Sequence, residues 1–82
     1  MSTIQKRFAT IQNNPQGVRF RDLHRVMVAF GFQLKRTTGS HHIYQRPGIP
    51  EALNLQNVRG KAKPYQVRQF LALVEKHQLK IP

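Results

Sequence analysis

Gly31-Phe32-Gln33-Leu34-Lys35-Arg36-Thr37-Thr38-Gly39-Ser40-His41-His42-Ile43-Tyr44-Gln45 is the stretch from which the rest of the chain has to be read. Phe32, Leu34 and Arg36 alternate with Gln33 and Lys35, the period of a strand. Thr37-Thr38-Gly39 then supplies turn residues, and Ser40 to Gln45 is rich in strand formers. Two strands joined through so short a glycine-bearing turn predict an antiparallel hairpin.

Working upstream, Leu23, Val26, Met27 and Phe30 recur at the spacing of one helical face from Phe20 onward. Gly31 suits the left-handed position that ends such a helix. Ile4, Phe8 and Ile11 mark a shorter amphipathic helix over Thr3 to Gln12, which stops at Asn13-Asn14-Pro15, and Gly17 completes a turn. Downstream, Arg46-Pro47-Gly48-Ile49-Pro50 carries two prolines that a central ladder would exclude, and Leu53, Leu55 and Val58 mark a third strand. After Arg59-Gly60-Lys61-Ala62-Lys63, Pro64 stands where a first helical turn tolerates proline. Val67, Phe70, Leu71 and Val74 follow at i, i+3, i+4 and i+7. The predicted order is α-α-β-β-β-α, a small α+β fold with a three-stranded antiparallel sheet and its helices on one face.

A chain of 82 residues has room for one core, because domains of this size bury only about 60% of their unfolded surface. The expectation is therefore a single domain over 1–82. There is no cysteine, which excludes disulfides, thiolate metal sites and cysteine nucleophiles and fits a reducing cytoplasm. Met1 to Thr10 is too polar for the apolar core of a signal peptide, and no run approaches the length that spans a bilayer. The expected setting is cytoplasmic, with no membrane association. Fourteen Lys and Arg stand against three acids, Asp22, Glu51 and Glu75, for a formal charge of +11. A surface of that sign concentrates polyanions, nucleic acid first, and equally attracts an acidic protein partner.

Gly39-Ser40-His41-His42-Ile43-Tyr44 places two imidazoles and a hydroxyl directly after a glycine turn. Imidazole exchanges a proton near neutral pH. Metal-free RNA cleavage asks for a base to take the 2′-hydroxyl proton and for cationic donors to stabilise the phosphorane. The plainer reading of a strand His-His pair is two surface or partly buried residues with local hydrogen bonds. Adjacent strand residues point to opposite faces, so His41 and His42 do not easily share one ion, and no metal or other cofactor is expected. Parity also couples His41 to Ile43 and His42 to Tyr44. If Ile43 turns inward, His41 turns with it, and His42 is the reserve candidate.

Lys61 and Lys63 precede and open the last helix, where free N–H groups already favour an anion and Gly60 lets backbone approach closely. Lys35 and Arg36 lie across the hairpin turn from the histidines. Tyr44 and Tyr65 read as packing residues, His24 and His77 as structural. The other basic residues, Arg19 among them, are spread along the chain, which argues for a diffuse field without base-sequence readout. The expected RNA contacts are Lys35, Arg36, Gly39, Ser40, His42, Lys61 and Lys63. No carboxylate stands beside Ser40 to make a triad, so its expected part is to position phosphate or imidazole.

From about Phe20 to Leu79 the chain resembles the HicA, or YcfA-like, family of bacterial toxins. The resemblance rests on a helix ending in Gly-Phe, a basic strand, Gly39-Ser40-His41-His42-Ile43-Tyr44, a further strand, Gly60-Lys61-Ala62-Lys63 and a closing helix, in that order. It implies a domain similar to the double-stranded RNA-binding fold, with a core over 18–80 and an extra N-terminal helix within 1–14. It further implies a metal-independent endoribonuclease acting on mRNA, a catalytic histidine after Gly-Ser, which here is His41, and a HicB-type antitoxin that covers the His41 region. Two other readings stay open at this point. One is a non-catalytic RNA-binding module of the same fold; the other is a partner-binding subunit that docks an acidic antitoxin.

Overall fold

The computed structural model describes residues 2–82, in the order α1 (Thr3–Asn13), α2 (Phe20–Ala29), β1 (Gln33–Thr38), β2 (His41–Gln45), β3 (Ala52–Val58), β4 (Lys61–Ala62) and α3 (Pro64–Lys76). The four strands form one antiparallel sheet in the order β1-β2-β3-β4. The three helices and the α+β class are as expected; the sheet has one strand more than the three predicted.

That fourth strand has a local cause. Val58 pairs with Lys61, so the connecting loop is Arg59-Gly60, and both residues take positive φ, 53° and 83°. Two positive-φ residues make the type I′ hairpin, whose twist matches that of the strands. The favoured first residue of such a turn is Asn or Asp. With Arg59 there, the sequence carries no such turn signal, and no strand is predicted over Lys61-Ala62. Asn57 supplies what Arg59 does not, its Oδ1 accepting the Gly60 N–H at 2.7 Å. On its other side β4 is tied to the segment before α2, through Ala62 N to Val18 O and Phe20 N to Gly60 O, both 2.9 Å.

The helices start and stop for identifiable reasons. Ser2 and Gln5 form a reciprocal capping box at α1, with Gln5 N donating to Ser2 Oγ at 3.1 Å and Ser2 N to Gln5 Oε1 at 2.9 Å. Gly31, at φ 97°, ends α2. The two hydrogen bonds that close this end, Phe32 N to Met27 O (3.0 Å) and Gly31 N to Val28 O (2.9 Å), define a Schellman motif. Pro64 occupies the first turn of α3. One core gathers Ile11 of α1, Leu23, Val26 and Met27 of α2, Phe30 and Phe32 flanking Gly31, Tyr44, Leu53 and Leu55 of the sheet, and Val67, Phe70 and Leu73 of α3. Phe8 carries α1 into it, with its ring 4.7 Å from Phe30 and 6.3 Å from Phe70. All three helices thus contribute to the core on one side of the sheet.

Candidate active site on the open sheet face

Which residues reach solvent from the sheet follows from its register. Directly opposed residues of an antiparallel pair project to the same side. Tyr44–Leu53 and His42–Leu55 belong to the helix-covered side, since Tyr44, Leu53 and Leu55 are buried. Ile43–Asn54 and His41–Gln56 therefore belong to the open one. Tyr44 decides the matter, because it is fully buried with its hydroxyl 2.8 Å from His24 Nδ1. Burial also pushes its phenol up to about 12. Ile43 accordingly points away from the helices, and His41, sharing its parity, is exposed.

His42 takes the opposite path. It is half-buried, its ring lies 4.5 Å from that of Phe20, and its Nδ1 donates to Ser40 O at 3.0 Å. The two neighbouring imidazoles are thus separated by the sheet itself, one toward α2 and one toward solvent. Gly39, at φ 59°, takes the first central position of the two-residue turn between Thr38 and His41, where glycine is favoured. Ser40 is exposed beside it.

A β-bulge sets the composition of the open face at the β1 edge. Leu34 pairs with Tyr44 but Arg36, not Lys35, pairs with Ile43. The extra residue shifts the parity of everything after it. Arg36 and Thr38 consequently share the side of Ile43 and His41, whereas the plain alternation of Phe32, Leu34 and Arg36 would have put Arg36 on the covered side. At the other edge Lys61 opposes Val58 and Arg19 opposes Lys61 in an isolated antiparallel bridge. Arg19 was read from sequence as part of a diffuse field; only tertiary structure brings it beside Lys61. Like charges directly opposite one another are unfavourable unless an anion lies between them. Lys63 is the N-cap residue of α3, in a first turn without acid, where a cation opposes the helix dipole.

Carboxylates lie elsewhere. Asp22 is 3.5 Å from Arg7, and Glu51, immediately before β3, contacts Lys76 at 2.7 Å and His77 at 2.8 Å. Hydrogen bonds from Lys76 and then His77 hold the Glu51 carboxyl down at about 2. The open face therefore presents His41 between Arg36 on one side and Lys61 with Arg19 on the other. Strand spacing and rise place the Cα atoms of His41 and Lys61 roughly 12 Å apart.

His41 itself is held by two amides. Its Nδ1 donates to Asn54 Oδ1 at 3.1 Å, and its Nε2 receives Gln56 Nε2–H at 3.3 Å. An imidazole so arranged carries its proton on Nδ1 and leaves Nε2 unprotonated, and Nε2 can accept a proton when a substrate hydroxyl takes the place of the Gln56 N–H. Neither Asn54 nor Gln56 was singled out from sequence; the β2–β3 register brings them to His41. Among the described residues no group of three or more His, Asp or Glu side chains is placed to hold a metal ion. No described helix is long and apolar enough to cross a membrane.

The family model described as HicA toxin of bacterial toxin-antitoxin matches residues 20–76, from the first residue of α2 to the last of α3. No curated protein and no solved structure matches the chain. The matched segment contains β1 to β4 and with them the whole open face around His41, and the chain belongs to the HicA toxin family, toxins that are each paired with a cognate antitoxin.

Proposed function

We propose that this toxin is an endoribonuclease that cleaves mRNA in the cytoplasm without a metal, with His41 as the catalytic residue. The supporting observation is the setting of His41, exposed on the open sheet face, with its ring held by Asn54 and Gln56 and cations at both sheet edges. The 2′-hydroxyl displaces the Gln56 N–H from His41 Nε2, which takes the hydroxyl proton; the 2′-oxygen bonds to phosphorus, and the bond from phosphorus to the 5′-oxygen breaks. The products are a 2′,3′-cyclic phosphate and a 5′-hydroxyl, the leaving oxygen being protonated by imidazolium or water. Arg36, Lys61 and Arg19 supply positive charge to the phosphodiester backbone and the phosphorane. Lys35, Lys63 and the Gly39-Ser40 turn extend the contact surface, and His42 contributes by holding that turn through Ser40 O.

The cognate antitoxin, which we take to be of HicB type, covers the same face and so hides His41 from RNA. A carboxylate-bearing segment would suit it, because the cations that attract phosphate attract carboxylate as well.

The test is incubation of labelled mRNA with wild type and with His41→Ala, both in EDTA, resolved on a denaturing gel. Wild type is expected to cut and the variant to lose about 10²- to 10⁴-fold in rate, the usual worth of a positioned base. RNA affinity should be nearly unchanged, since the charge of +11 is counted without the histidines and all of it remains in the variant. Binding without cleavage by the wild type would make the protein an RNA-binding module instead. Cleavage by both proteins would remove His41 from the mechanism.

A further inference from the structure

Gln66 is buried at 4% exposure, the one amide or charged side chain among the buried described residues. A buried amide is costly unless every hydrogen-bonding group is used, so its partners specify what it does. Gln66 Oε1 accepts the backbone N–H of Gln56 at 2.7 Å. That N–H is directed to the β4 side of β3, because the next one, Asn57 N, donates to Ser40 O on the β2 side. β4 pairs only with Asn57 and Val58, so the Gln66 side chain stands in for the missing strand.

The bond also removes an ambiguity. A backbone N–H can only donate, so the oxygen of Gln66 must face it and the nitrogen must face away. That nitrogen donates to Gln56 Oε1 at 3.3 Å and to Tyr65 Oη at 3.2 Å. With its oxygen engaged, Gln56 turns its own nitrogen to His41 Nε2 at 3.3 Å. An NH₂ group presented to a ring nitrogen requires that nitrogen to be unprotonated, so the proton of neutral His41 sits on Nδ1, where Asn54 Oδ1 receives it at 3.1 Å.

We infer that Gln66 and Gln56 are positioning residues whose aligned amides dictate the tautomer of His41, keeping Nε2 unprotonated so that its lone pair takes a proton once a substrate hydroxyl displaces the 3.3 Å contact of Gln56. For catalysis this rests on the ribonuclease reading; as a statement about the histidine it stands without it. Each donor-to-acceptor step is fixed by the one before, back to a main-chain N–H that has no alternative role. Reversing any amide in the chain turns an oxygen toward Nε2 and calls a proton onto it.

Two substitutions reverse it at different points. Gln66→Glu keeps an acceptor for the Gln56 N–H but can no longer donate to Gln56, whose amide then turns over and offers its oxygen to His41. Gln56→Glu sits on the half-exposed side chain, burdens the core less, and presents a carboxylate oxygen to Nε2 directly. If Gln66 merely capped the sheet edge, Gln66→Glu would leave the histidine unaffected, whereas Gln56→Glu acts on the ring directly.

The experiment is ¹⁵N side-chain histidine spectroscopy of the wild type and both variants at about pH 8, above the ordinary imidazole range, with the cleavage assay in parallel. Wild-type His41 should show a pyridine-type Nε2 and a pyrrole-type Nδ1. Both variants should show a protonated Nε2, with cleavage reduced about 100-fold, the low end of a base's contribution. A wild-type His41 protonated at Nε2, or an unchanged tautomer in either variant while it remains folded, would overturn the inference. The spectra require no RNA, so a wild type that fails to cleave would end the ribonuclease reading while leaving the tautomer result to stand or fall alone.

Discussion

The helix-covered face of the sheet carries Tyr44, Leu53, Leu55 and His42 against Phe20, Val67 and Phe70, while the open face carries Arg36, Thr38, His41, Asn54, Gln56 and Lys61, with Ile43 and Val58 as its apolar members. Both faces are built from the same strands, residue by alternate residue. On the first, the hydrophobic effect leaves little choice of side chain, and polar groups survive only with a dedicated partner, as Tyr44 with His24. On the second, packing makes almost no demand, so the side chains there are available for chemistry. His41 and His42 are adjacent in the chain and belong to these different regimes.

The largest contrast in stability should come from truncating one side chain on each face. Leu55 is fully buried, and Leu55→Ala is expected to cost about 2–5 kcal/mol through lost burial and the cavity left behind. Ile43, half-buried on the open side, should lose about 1 kcal/mol or less on the same truncation, because solvent fills the space. Urea denaturation of the two variants measures the difference, and comparable losses would mean that the two faces are not so unlike.

The histidine pair gives a smaller contrast in stability and a sharper one in function. His42→Ala loses the contact with Phe20 and the bond to Ser40 O, worth about 1 kcal/mol together, and should still cleave within a few-fold of the wild type. His41→Ala should melt within about 0.5 kcal/mol of the wild type, as exposed substitutions usually do, while losing cleavage. Thermal melts and the gel assay on the same two preparations make the comparison. An inactive His42→Ala that remains folded would reassign the catalytic histidine.

The helices, the first hairpin and the third strand were legible because each rests on a local signal. Ile4, Phe8 and Ile11 mark α1, Gly31 closes α2, Pro64 opens α3, and Gly39 sits in the turn. What escaped sequence reading depended on pairing. Lys35 gives no sign that it is the extra residue of a bulge, yet the bulge places Arg36 beside the row of His41. The Arg59-Gly60 turn lacks the Asn or Asp that usually announces it, so β4 was hidden, and with it the opposition of Lys61 to Arg19. His41 stood out by its motif. Asn54, Gln56 and Gln66 are ordinary amides in sequence, and nothing marks them until the register of β2 with β3 and the packing of α3 bring them to the ring.

The smallest expected effect lies at the end of the sheet away from His41, where Glu51 binds Lys76 and His77 and so fastens the end of α3 to the start of β3. Lys76 and then His77 lower the Glu51 carboxyl from 4.5 to about 2. A carboxyl depressed in the folded state stabilises fully above its unfolded value, because there the unfolded chain has not yet bound the proton that the native state refuses. As pH falls below 4.5 the unfolded form takes up that proton first, and the contribution fades until the folded carboxyl also protonates near 2. Glu51→Gln should therefore melt slightly below the wild type at neutral pH, and the gap should close steadily between about pH 4.5 and pH 2, narrowing also with salt as an accessible ion pair does. Cleavage at neutral pH should not change, since the substitution touches the helix-to-sheet attachment and leaves the open face around His41 as it was. A pH-independent gap in melting temperature would mean that the Glu51 contacts act through packing and not through charge, and a loss of cleavage would mean that the start of β3 communicates with His41 along the strand.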